Sequence, residues 1–224
     1  MGLFLEEHPI AETLLDPGRA TVNTVHMRAE TPDTRARLLE HARDVYLEGG
    51  PAHFSLREVA RRAGVSAAAV YRHFDGKEAL LSSVCAEGFR IFSSYLLRAL
   101  SAPTPIRRLR AATDHYRDFA VQNARDYRVI FMSSAEDFRG ATGQKGSRET
   151  SPTFQFLVDR VRECVSAGAI APGDADEIAA VIWAHVHGLV SLRLSGHLAS
   201  VGDDAAFARF FRASTDRLLE GLAP

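Results

Sequence analysis

The chain has 224 residues, 46% hydrophobic and 25% charged, with a formal net charge of −1. It is long enough for a substantial core and ordinary in composition for a globular protein, and its charge excludes a globally basic surface, so any cationic site must be local. Two cysteines, Cys85 and Cys164, are too few for a disulfide framework and point to a reducing cytoplasm.

The N-terminus lacks the basic region and apolar run of a secretory signal. No run of about 18 apolar residues predicts a membrane span. Residues 1–30 carry Pro9, Pro17 and Gly18 and only a weak apolar pattern at Ile10–Leu15, and they read as a mobile extension with at most one short helix. Thr31-Pro32 is an N-cap followed by proline at the first helical position. Leu38, Leu39, Ala42, Val45 and Tyr46 then recur at helical spacing until Gly49-Gly50-Pro51. Ser55-Leu-Arg-Glu58 has the form of a capping box opening a short helix, with Leu56, Val59, Ala60 and Ala63 inward. Gly64-Val65 makes a turn, and Ser66 caps a second short helix to Phe74. Asp75-Gly-Lys-Glu78 is another capping-box pattern, starting a long helix to about Leu100 with Leu80, Val84, Ile91, Tyr95 and Ala99 on one stripe.

The second half is written the same way. Thr104-Pro105 opens a helix to about Asn123, and Tyr127–Met132 forms a short one. Residues 133–151, rich in Ser, Gly, Thr and charge, read as a mobile loop. Ser151-Pro152 opens a helix that stops at Gly168, and Asp174-Ala-Asp-Glu177 caps an apolar helix to about His197. A last helix runs from about Asp204 to Leu222. No stretch alternates as a strand does, so the predicted fold is all-α.

Two short helices joined by a tight glycine turn form a helix-turn-helix. Ser55 to Lys77 holds five basic residues and two acidic ones, a local excess of three positive charges in a chain that is globally near neutral. Small side chains at the start of the second helix let its backbone approach the floor of a DNA major groove.

The segment FSLREVARRAGVSAAAVYRHFDGKEALL resembles the DNA-binding region of the TetR family of bacterial transcriptional regulators, over about residues 33–81. WAHVHGL, Trp183 to Leu189, is similar to the Trp…His-Gly element of one subgroup's C-terminal domain. The resemblance implies a helix-turn-helix domain over 31–80 and a larger effector-binding and dimerisation domain over 81–224. It implies that Arg57 reads a guanine edge, that Ser55, Tyr71, His73 and Lys77 hold phosphates, and that Ser66 adds a phosphate contact to its cap. Ala67, Ala68 and Ala69 fall at the recognition positions, where alanine can touch only a thymine methyl. Specificity then rests on Arg57, on DNA shape, or on Arg19 and Arg28 of the extension. The implied partners are a palindromic duplex operator, a small-molecule effector and a second copy of the chain.

No phosphate loop, serine nucleophile elbow or zinc pattern is present, so neither catalysis, cofactor nor metal is expected. His185 and His187, two residues apart, do not share a helix face. Trp183 and His187 do, as core packing or as one wall of a ligand cavity. Aromatic residues concentrate between Phe89 and Trp183, and Phe89, Phe92, Tyr116, Phe119, Phe131, Trp183 and His187 are the candidate effector contacts. Arg90, Arg117, Asp118 and Arg128 fall on polar stripes, which predicts a neutral or singly charged, largely hydrophobic effector. Ile178, Val181, Ile182, Val186, Leu189, Val190, Leu192 and Leu194 spread around more than one helix face, which predicts a dimer through the last two helices. The reading that follows is a repressor released by its effector. Two others stay open: a DNA-bound scaffold or cell-division factor without effector, and a ligand-binding protein whose DNA-binding module is degenerate.

Overall fold

The structure, a computed structural model, describes residues 33–132 and 151–224. The expected N-terminal extension, the Thr31-Pro32 cap and nearly all of the predicted 133–151 loop lie outside the described residues. Within them the helices are α1 (Thr34–His53), α2 (Leu56–Arg62), α3 (Ala67–Tyr71), α4 (Lys77–Leu97), α5 (Pro105–Gln122), α6 (Ala124–Phe131), α7 (Pro152–Ser166), α8 (Ala175–Leu194) and α9 (Asp204–Gly221). Short 3₁₀ turns follow α4 and α8, and no strand occurs among the described residues. The fold is all-α, as the periodicity predicts.

Local chemistry explains most boundaries. Side-chain oxygens of Asp33, Ser66, Thr104, Asp174 and Asp203 accept backbone N–H bonds at the starts of α1, α3, α5, α8 and α9. Two expected capping boxes do not form. Ser55 makes no side-chain cap, and the Glu58 carboxylate accepts from Arg61 and Arg62 instead of reaching back to the Ser55 N–H, because charge-assisted bonds outweigh a bond to a backbone N–H. At α4 the N-cap is Gly76, whose φ of 112° only glycine adopts easily and which has no side chain to cap with. Gly50, at φ 63°, interrupts α1 where Gly49-Gly50-Pro51 predicts a stop, and one helical turn resumes to His53.

One core runs from the head into the body. Leu38, Ala42, Val59, Val70, Leu80 and Val84 knit α1–α4 together and continue through Phe92 to Phe119, Tyr127, Val186, Val190 and Phe207. A second cluster joins α5, α7, α8 and α9 through Leu109, Val158, Val161, Cys164, Ile182 and Leu219. Trp183 touches both. The described residues form one compact unit, with α4 passing from head to body.

By length and mean hydropathy alone α8 is long and apolar enough to cross a bilayer, although Asp176, Glu177 and Arg193 keep it from being an unbroken apolar run. Its Ala179, Ile182, Val186 and Val190 are nonetheless buried in the protein. Val181 and Leu192, on the opposite side, are 50% and 43% exposed. The helix is apolar on two faces, and among the described residues only one of them is covered.

Candidate nucleic-acid interface and aromatic core

The turn before α3 depends on Gly64 at φ 65°, and the Arg37 guanidinium braces it by donating to the Ala63 carbonyl. Val70 and Phe74 then pin α3 to the head's core. This fixes which residues face outward. Ala67, Ala68, Tyr71 and Arg72 are exposed, at i, i+1, i+4 and i+5, with His73 following and Tyr71 at 62%. Ala69 is turned inward and only 4% exposed, so its expected recognition role is corrected: the side of α3 that carries Val70 takes it.

The cations around α3 are not equivalent. Arg57 is exposed and makes no ion pair among the described residues. Arg61 and Arg62 both bond to Glu58 at 2.6–2.8 Å, and Arg62 also grips Glu48 at 2.7 Å through both terminal nitrogens. Hydrogen bonds from Arg61 and then Arg62 hold the Glu58 carboxyl down at about 2. Lys77 is half-buried. Its Nζ donates to the Pro51 carbonyl at 2.6 Å and lies 5.9 Å from the Phe54 ring centroid, which leaves two of its three N–H groups for a phosphate. Ser55 is exposed and free of capping, whereas the Ser66 hydroxyl is engaged by Ala69 N at 3.2 Å.

The candidate effector residues come together in one ring cluster. Phe92 meets Phe119, Phe131 and Tyr116 at centroid distances of 4.9, 5.3 and 5.4 Å. Phe89 reaches Phe131 at 6.0 Å, and Trp183 stacks near His187 at 5.3 Å. Tyr127 is fully buried among them, and sequence reasoning did not single it out. Its hydroxyl stands 2.9 Å from His187 Nδ1 and 3.3 Å from Ser191 Oγ, while the Tyr116 hydroxyl stands 3.0 Å from the same Nδ1. Burial raises both phenols and lowers His187, so all three are neutral at pH 7.

His185 points elsewhere, with Nε2 3.3 Å from Ser214 Oγ on α9. Among the described residues no three His, Cys, Asp or Glu side chains gather as metal ligands. Cys85 and Cys164 are buried, and burial pushes each thiol up to about 11, where it is unreactive. Arg117 is not on a polar stripe as expected. It is buried between Asp114 and Asp118, with its guanidinium 5.4 Å from the Phe211 ring centroid. A polar groove of about 200 Å³ between α5 and α9 is lined by the pairs Arg110–Asp216 and Arg212–Asp114, each at 2.8 Å.

Helix α6 joins the rings to the head. Asp126, on its first turn, pairs with Arg43 of α1 at 2.9 Å, and neighbouring Arg125 pairs with Asp44 at 3.0 Å. Burial raises the Asp126 carboxyl, and Arg43 opposes that rise. On α4, Gly88 lies so close to α6 that a Cβ there would sit 2.8 Å from Ile130 Cγ2. The sequence signal for these residues is faint, one charge beside each apolar stripe, and it means little without the partner.

A head of this kind, with an outward helix face of methyl, phenol and guanidinium groups, defines a helix-turn-helix DNA-binding protein. Comparison with known proteins agrees. Residues 38–84 match the family described as bacterial regulatory proteins, tetR family, and residues 109–218 match the tetracyclin repressor-like C-terminal domain. The transcriptional activator FasR of Mycolicibacterium smegmatis is 34% identical over 105 residues, 46% of this chain and 48% of its own length. The class A tetracycline repressor from transposon 1721 of Escherichia coli is 29% identical over 138 residues, 62% of this chain and 56% of its own length. The chain thus spans about half the length of these curated relatives. A solved TetR-family regulator, PfmR of Thermus thermophilus, shares the fold at 20% identity and a TM-score of 0.63, covering 84% of this chain and 100% of that one. The chain belongs to the TetR family of transcriptional regulators.

Proposed function

We propose that the chain is a homodimeric repressor, acting by binding rather than catalysis in the bacterial cytoplasm. A small, largely hydrophobic effector with at most one charge releases it from a palindromic operator. The observation that carries this reading is the position of α6. Tyr127 and Phe131 stand among the core rings, while Arg125, Asp126 and Ile130 bear on α1 and α4. A ligand that parts Tyr127 from His187 therefore acts on the helix that holds the head. Preferential binding to one placement of α6 shifts the population away from the DNA-competent dimer.

In the core, Phe89, Phe92, Phe119, Phe131 and Trp183 supply apolar contact, and Tyr116 and His187 orient the ligand, joined by Tyr127 and Ser191. The buried charges Arg117 and Asp126 are already paired, so a multiply charged ligand would find no free buried counter-charge among the described residues. On DNA, Arg57 reads a guanine, Ala67 and Ala68 face base edges, and Ser55, Ser66, Tyr71, His73 and Lys77 hold phosphates. The uncovered faces of α8 and α9, with Val181, Leu192 and the 39%-exposed Phe210, form the dimer contact. Two recognition helices then meet half-sites one turn, about 34–36 Å, apart or somewhat wider. Among the relatives one is named an activator and one a repressor. Release by an effector turns repression into induction, which makes repression the simpler sign. The close ring contacts favour one second reading, a DNA-bound protein whose core takes no effector.

Thermal-shift screening with operator release as the readout tests the reading. A neutral hydrophobic compound should raise Tm and free the DNA, with Trp183→Ala and Tyr116→Phe each weakening it by roughly 1 kcal/mol or more. Release only by highly charged metabolites or metal ions would overturn it. On DNA, Lys77→Ala should weaken binding to every sequence and reduce the salt slope by about one unit. Arg57→Ala should instead relax discrimination at one base pair, by roughly 1–3 kcal/mol.

A further inference from the structure

We infer that the effector binds through a carbonyl oxygen that accepts from the Tyr116 and Tyr127 hydroxyls together, which makes it an uncharged ketone, ester or amide on an apolar frame rather than an acid or an amine. The inference rests on the aromatic core being the effector site and names the chemical group which that site takes.

Three helices bring three polar groups to one point among the rings. Tyr116 of α5 is 4% exposed and Tyr127 of α6 is fully buried. His187 of α8 presents Nδ1 3.0 Å from the first hydroxyl and 2.9 Å from the second. An imidazole nitrogen has either one lone pair or one N–H. In either tautomer Nδ1 therefore makes one full hydrogen bond, and the second phenol has to share it. The other contacts are weak substitutes. The two hydroxyls lie 3.4 Å apart and Ser191 Oγ is 3.3 Å from Tyr127, both beyond the roughly 2.5–3.0 Å of a good O–H···O bond. Two buried O–H groups thus face less acceptor capacity than they can use.

A carbonyl oxygen has the capacity that Nδ1 lacks. Its two lone pairs accept both phenol protons at once, in surroundings where an unmet hydrogen bond is costly. Phe131, Trp183 and His187 are half-buried, so an apolar frame can lie along this partly exposed rim while its oxygen reaches the buried hydroxyls. Neither charged head group fits as well. A carboxylate needs a buried cation, and the buried guanidinium, Arg117, is held by Asp114 and Asp118. Burial also disfavours a protonated His187. An ammonium needs a carboxylate, and the buried one, Asp126, is paired with Arg43.

The test uses the full chain and two matched probe series, one on a naphthalene ring and one on a ten-carbon chain, each offered as methyl ester, free acid and primary amine. Trp183 is the single tryptophan, so its fluorescence reports entry into the core, while operator release reports function. The ester of at least one series should quench Trp183 and free the DNA, with the acid and the amine about tenfold weaker or more. Tyr116→Phe and Tyr127→Phe should each weaken the ester about fivefold, the effect of one neutral hydrogen bond, with helical circular dichroism retained. The infrared stretch of a carbon-13-labelled ester carbonyl should fall on binding and recover part of that shift in each variant. A tyrosine that merely props the core would leave the stretch unmoved. Should a variant fail to fold, the ranking of the three heads and the stretch on the wild-type chain still decide. Tightest binding by the acid or the amine overturns the inference and leaves the effector site standing. So does an ester whose affinity and stretch are the same in both variants as in the wild type. If no probe reaches Trp183, the effector-site reading itself fails and the inference falls with it.

Discussion

Arg43 and Asp126 show how a buried pair ties stability to pH. The Arg43 and Asp126 side chains are 16% and 8% exposed, so little water screens them. Burial raises the Asp126 carboxyl above its ordinary value, and the Arg43 charge limits the rise. Removing the cation with Arg43→Met should push that carboxyl further up and leave an uncompensated buried charge, costing about 3 kcal/mol at pH 7. The sign follows from proton counting. With the folded value above the unfolded one, the native state binds more protons in between, so the deficit should shrink as pH falls through the raised value. Urea midpoints of wild type and variant at pH 7 and pH 5 check this, and a gap of equal size at both would assign the loss to packing rather than charge. His187 works in the opposite direction. Its value is lowered by burial, so the unfolded chain binds the extra proton and native stability declines below about pH 6.5.

At the scale of elements, α2 and α6 each carry more than their length suggests. Glu58 on α2 gives up its predicted cap to hold Arg61 and Arg62, which subtracts two guanidiniums from the positive patch that composition alone promises. Because Glu48 still holds Arg62, Glu58→Gln should free Arg61, tighten binding to all DNA sequences alike and steepen the salt dependence by about one unit. Titrations on operator and scrambled duplexes at several salt concentrations measure it, and an unchanged slope would mean that Arg61 does not reach a phosphate even when freed. Helix α6 has eight residues and bears on α1, α4 and α8 at once, through Asp126, Ile130 and Tyr127. Gly88 is what lets it approach α4 so closely.

For the whole molecule, the proposed dimer rests on α8. One side of it is buried against α5, α7 and α9, and the other shows Val181 and Leu192. A charge in the middle of such a face cannot be desolvated without a partner. Val181→Arg should shift a micromolar sample from dimer to monomer in sedimentation velocity and lower operator affinity by at least tenfold, with the helical circular dichroism retained. A wild-type chain that sediments as a monomer on and off DNA would sink the dimer proposal.

Local regularities in the sequence determined the all-α fold, most helix starts and the glycine turn at Gly64, because caps and apolar stripes act between residues three or four apart, whereas the stop expected at Gly49-Gly50-Pro51 is a kink with one more turn to His53. The motif at 55–77 likewise determined the helix-turn-helix and the family. Only the tertiary structure decided that Ala69 faces the core, that Glu48 reaches across to Arg62, that Arg43 finds Asp126, and that Tyr127 joins Tyr116 at His187. Those choices depend on distances and desolvation between elements remote in sequence. Such quantities exist only once the helices have packed.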